Sequence, residues 1–154
     1  MNQAMNISLA LALASSVALA HAAASSHNEA KLIGAWQEGL TPRLAAGTPK
    51  QLQMAQQAGL LGEVTLYKAD HSFVIYPPCG PKKEDLRKAG LDSIKGTWQL
   101  SDTNDLVSEI NVKGQSMKID AKLSWQDGQM VATNKYGSVS QRAGRYAGPL
   151  PPAC

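Results

Sequence analysis

From Met117 to Trp125 apolar and polar side chains alternate without a break. Met117, Ile119, Ala121, Leu123 and Trp125 fall on one side, and Lys118, Asp120, Lys122 and Ser124 on the other. A period of two places the sets on opposite faces of an extended chain, which describes a strand with one face buried. Asp127-Gly128 follows, the dipeptide typical of a type I′ hairpin, and residues 129–133 return. Whatever this chain folds into contains an antiparallel sheet with one apolar face.

The rest of the chain extends that sheet. Short strand-like runs lie at residues 31–37, 63–68, 72–76, 96–100, 106–112 and 136–141. Ala69-Asp70-His71, residues 101–105 and Lys113-Gly114 read as the turns between neighbours. Eight candidate strands with mostly short links predict an antiparallel up-and-down meander, and a meander of that length closes into a barrel, which removes its edges. An eight-stranded barrel is either filled by side chains or just wide enough for one small ligand.

Two helical segments interrupt the pattern. Thr48-Pro49 supplies an N-cap and a first-turn proline for a helix over 49–58, with Gly59 to stop it. Residues 82–94 carry Leu86, Ala89 and Ile94 near helical spacing after Pro81, with Gly90 weakening the run. A short echo also stands out. Leu32-Ile33-Gly34-Ala35-Trp36-Gln37 and Ile94-Lys95-Gly96-Thr97-Trp98-Gln99 share the form aliphatic-x-Gly-x-Trp-Gln. In each copy the glycine permits a close approach or a kink, and the tryptophan plugs the core or a barrel end.

The N-terminal residues follow other rules. Ile7 to Ala20 are apolar or small, without charge, Pro or Gly. That length suits a secretory signal peptide and falls short of a membrane span. Small residues at Ala18, Ala20 and Ala22 suit cleavage, although no Lys or Arg precedes the apolar run. A buried apolar helix is the competing reading. The expected organisation is a signal peptide at 1–23, a flexible tail at 24–30, a barrel domain at 31–146 and a Pro-rich tail at 147–154. The expected location is the periplasm or the exterior of a bacterial cell. Cys79 and Cys154, both beside prolines, are the two cysteines. An even count in an exported chain predicts a disulfide, which closes a loop of 75 residues and adds roughly 4 kcal/mol.

These pieces in this order resemble the small bacterial lipocalin-like, calycin-type barrel proteins. The matching stretches are Gly34-Ala35-Trp36, the hairpin over 65–76, Gly96-Thr97-Trp98 and the meander over 106–133, about two thirds of the chain. The resemblance implies a barrel that binds a small apolar molecule or a protein partner, and no reaction. Ser140-Gln141-Arg142-Ala143-Gly144-Arg145-Tyr146 is in addition similar to a segment of the periplasmic inhibitors of C-type lysozyme.

Chemistry-bearing residues are sparse. His71 is the one histidine beyond the N-terminal leader and tail, so a Cys/His metal site is not expected. No nucleophile turn and no glycine-rich phosphate loop occurs, and Glu84-Asp85 reads as a solvated helix face. A net charge of +3, with both signs interspersed, does not call for nucleic acid or a membrane surface. The expectation is an exported, monomeric, non-enzymatic binding protein without a cofactor. Its interior site would be lined by Trp36, Trp98, Met117, Ile119, Leu123 and Trp125. The alternative is a protein-binding inhibitor or immunity-type protein that inserts Arg142, Arg145 and Tyr146.

Overall fold

A computed structural model describes residues 28–154. The signal peptide expected at 1–23, and the expected tail up to residue 27, lie outside the described residues. Eight strands form one closed antiparallel barrel in simple up-and-down order. They are β1 Gly34–Glu38, β2 Val64–Tyr67, β3 Ser72–Tyr76, β4 Ile94–Leu100, β5 Asp105–Val112, β6 Gln115–Gln126, β7 Gln129–Thr133 and β8 Val139–Arg145. Each strand pairs with its chain neighbour, and β8 returns to β1 through Trp36↔Arg145 and Glu38↔Ala143. Among the described residues there are also four short helices. These are α1 over 28–32, α2 Pro42–Ala45, α3 Pro49–Gln57 and α4 Pro81–Lys88. None of them is long and apolar enough to cross a membrane.

The local signals act as expected at most elements. Thr48 caps α3 with its side chain while Gln51 reaches back to the Thr48 N–H, a capping box that satisfies free donors at both positions. Asp127 adopts φ 52°, as the first central residue of a type I′ turn does, and Lys113 repeats it at φ 53° between β5 and β6. Several elements differ. α2 was not expected; Thr41, whose side chain accepts from the Leu44 N–H, and Pro42 are the cap and first residue that start it. α4 ends six residues before Ile94, which opens β4 instead. β8 runs over 139–145 rather than 136–141. The Asn134 side chain accepts from the Tyr136 and Ser138 N–H groups, which holds 134–138 in a turn and starts the strand later.

The alternating residues of β6 face inward, as do their counterparts on the other strands. The core gathers Trp36, Tyr67, Phe73, Trp98, Leu100, Leu106, Ile110, Leu123, Met130, Ala132 and Ala143 around Leu32 of α1. A smaller apolar cluster of Leu40, Ala55 and Leu61 holds α3 to the outside of the barrel.

One end of the barrel is sealed. α1 lies across it, with Leu32 fully buried. The Trp36 indole N–H donates to the Leu32 carbonyl at 2.8 Å. From the far edge of the seam, the Arg145 guanidinium donates to the Ile33 carbonyl at 2.7 Å and to the Lys31 carbonyl, while its plane covers the Trp36 ring at 4.1 Å. The first strand therefore starts at Gly34 rather than at Lys31, because Lys31 and Leu32 belong to α1 and the Lys31 and Ile33 carbonyls turn to this cation. Gly34 sits at φ 122°, and a Cβ there would meet the guanidinium at 2.4 Å. The second Gly-x-Trp works in a parallel way. A Cβ on Gly96 would strike the Phe73 ring at 2.6 Å and the Glu109 carbonyl at 2.3 Å. Trp98 then stacks on His71 at 4.7 Å, and His71 in turn faces Glu29 of α1 at 3.6 Å.

Cys79 and Cys154 form a disulfide, with Cα atoms 5.7 Å apart. It ties the C-terminal residue to the loop between β3 and α4.

Two stability measurements check this account. Arg145→Lys should lower unfolding stability by about 2 kcal/mol, because a lysine cannot reach two carbonyls and cover the Trp36 ring at once. Urea denaturation reads that loss, and an unchanged midpoint would refute the role of the fork. Replacing both cysteines by serine should cost about 2–4 kcal/mol in the same assay while leaving the far-ultraviolet spectrum of the barrel intact.

Candidate functional site

The opposite end of the barrel is open, and the interior there is not filled. A cavity of about 130 Å³ runs inward between the strands. Its deep wall is apolar, built from Phe73, Leu106, Leu123 and Met130. Ile75, Ile110, Ile119 and Ala121 continue it toward the opening, where Ser140 and Gln141 stand at the rim.

A polar strip crosses this wall. Glu63, Thr65 and Tyr67 project inward from β2 and the residue before it, and Ser108 does so from β5. Glu63 is held in line because the Glu38 N–H donates to its carbonyl at 3.0 Å, which continues the β1–β2 ladder one step beyond the strand. Thr65 and Tyr67 are each 7% exposed and Ser108 9%. None of their hydroxyls makes a hydrogen bond within the protein among the described residues. These hydroxyls therefore give the cavity surface a set of uncommitted hydrogen-bonding groups.

Electrostatics at the strip follow from burial. Burial pushes the Glu63 carboxyl above its ordinary value, the nearby Glu38 carboxylate adds to that, and Lys82 of α4 partly offsets it. The Tyr67 phenol is pushed up to about 12, first by burial and then by the Glu63 charge.

The residues expected to line an interior site separate into three groups. Ile119 and Leu123 line the cavity. Trp36 and Trp98 are 3% and 1% exposed and pack at the sealed end, below it. Trp125 is partly buried beside them, with the Lys31 ammonium 5.6 Å from its ring centre. Met117 shares the inward face of β6 but stands 58% exposed, because the β5–β6 hairpin reaches beyond the barrel opening. Of the alternative set, Arg145 is committed to the plug, and the Tyr146 hydroxyl donates to the Pro149 carbonyl at 3.0 Å. Arg142 lies on the exposed outer face, 3.5 Å from the Gln126 side chain. His71 belongs to the sealed end, and no group of three or more His, Cys, Asp or Glu side chains among the described residues could hold a metal ion.

The polar strip was absent from the sequence reading. Its signal was the alternation Glu63-x-Thr65-x-Tyr67, whose polar character does not say that it faces inward. Comparison with protein-family models, with characterised proteins and with solved structures gives no match for this chain.

The Glu63 carboxyl also makes a prediction about stability. Its value in the fold lies above its unfolded one, so its contribution is present below the unfolded carboxyl range and lost as pH rises through the folded value. At neutral pH the ionised side chain therefore opposes folding. Glu63→Gln should melt at a higher temperature than the natural protein at pH 7, and the difference should vanish near about pH 3.5, where the natural carboxyl is also neutral. Thermal unfolding followed by circular dichroism reads both arms.

Proposed function

We propose that this protein is an exported, non-enzymatic binding protein of the lipocalin-like kind, which holds one small, mainly apolar molecule in the open end of its barrel. The observation that carries the reading is the cavity: about 130 Å³ of unfilled space inside a close-packed barrel sealed at its other end. Protein interiors seldom leave such space. An apolar cavity of roughly this size takes a guest as large as benzene. The volume favours a compact guest over a long acyl chain. The disulfide supports export, since such bonds persist in oxidising compartments. A protein-binding role draws less support from the geometry, because Arg145 is already engaged with α1.

Toluene is a suitable probe. It should bind with a dissociation constant of about 0.1–1 mM, within the range open to so few atoms. Amide and methyl NMR shifts should change at Ile110, Ala121, Leu123 and Met130. Ala121→Leu, which extends a side chain into the space, should abolish these changes and leave the melting temperature equal or higher. Shifts confined to the outer surface, or none at millimolar toluene, would overturn the reading.

A further inference from the structure

The cavity wall says more about its guest than size does. We propose that the guest is a small primary amine, with an apolar body near the size of one aromatic ring and an ammonium group received by Glu63. This rests on the reading of the cavity as a ligand site and specifies the ligand's chemistry.

Three features of the wall lead there. First, Glu63 lines the cavity and has no cation within ion-pairing distance among the described residues. Its charged surroundings are Glu38 from β1, of like sign, and Lys82 from α4; the Tyr67 phenol stands on its own strand. The site is therefore short of positive charge. An anionic guest would meet the Glu63 carboxylate, with the Glu38 charge beside it adding to the repulsion, and a cation would complete the set.

Second, the hydroxyls of Thr65, Tyr67 and Ser108 belong to buried residues that line the cavity and make no hydrogen bond within the protein. An ammonium carries three N–H donors and no acceptor. Glu63 with these hydroxyls offers acceptors from both walls, β2 and β5. A hydrocarbon guest would cover these acceptors without supplying a donor.

Third, the carboxylate and the apolar floor are separated along the barrel. Phe73, Leu123 and Met130 form the deep end, while Glu63 stands at the start of β2, toward the opening. A guest would enter ring first and leave its charged end near the mouth, where Glu38 and Glu63 together favour the approach of a cation. The cost of holding an unpaired, partly buried carboxylate in the empty protein is then returned when the guest binds.

The test uses the disulfide-bonded protein at pH 7 and isothermal titration with toluene, benzyl alcohol, benzylamine and benzoate, which differ in one substituent. Benzylamine should bind at least about tenfold more tightly than toluene or benzyl alcohol, and benzoate more weakly than all three. Glu63→Gln should erase the benzylamine advantage and leave toluene affinity within about twofold; Glu38→Gln should keep most of it. Because protonation removes the Glu63 charge, benzylamine affinity should fall as pH is lowered through the raised Glu63 value, while that of benzyl alcohol stays flat. The melting temperature of Glu63→Gln shows independently that the variant is folded. If toluene enters the cavity as tightly as benzylamine, or if Glu63→Gln retains the advantage, the amine assignment falls and the small-ligand reading stands. If none of the four enters the cavity, both fall.

Discussion

The contact on which the rest of this structure depends is Arg145 laid over Trp36. A guanidinium is a planar fork of donors, able to stack on an aromatic face while bonding to two carbonyls at once. Here it does both, and the carbonyls belong to Lys31 and Ile33, at the exit of α1. Gly34 lacks the side chain that would stand in its way. One residue of the last strand thereby fixes the first strand, the helix that precedes it and the tryptophan beneath. With that end sealed, the unfilled volume of the barrel is left at the other.

The barrel is asymmetric along its axis for a reason visible in residue sizes. Large rings (Trp36, Trp98, Tyr67 and Phe73) crowd the sealed half, where Tyr67 meets Trp98 edge-on at 5.9 Å and lies 6.0 Å from Phe73. Toward the opening the inward positions are smaller or branched: Thr65, Ile75, Ser108, Ala121 and Ala132. Inward side chains of an eight-stranded barrel can just fill it. Where the rings give way to hydroxyls and short aliphatics, space remains. The same gradient packs the closed half and leaves space in the open half, and the carboxyl whose value burial raises, Glu63, lies beside that space.

The architecture was legible in the sequence because its signals are local. Alternation in β6, the Asp127-Gly128 turn and the Thr48 cap each act within a few residues, and Cys79 and Cys154 drew attention by their number. The site was less legible for two reasons. In β2 both faces are buried, Val64 at 2% exposure and Thr65 at 7%, so alternation there does not reveal which set points inward. The significance of Arg145 depends on partners 112 and 114 residues away, which no periodicity connects. The sequence offers Trp36 and Trp98 both as barrel-end plugs and as lining for an interior site, and in the fold they pack at the sealed end.

The β1–β8 seam differs from every other pairing in the barrel. The other strand pairs join chain neighbours, whereas this one brings together the two ends of the domain and carries the loop-closure entropy of the whole ring. Arg145 belongs both to that seam and to the plug. Zipping the last strand onto the first therefore delivers the guanidinium to Trp36, and seating α1 needs the guanidinium to be there. Ring closure and end closure thus share one residue: a chain with an open seam also lacks the guanidinium that helps close its floor.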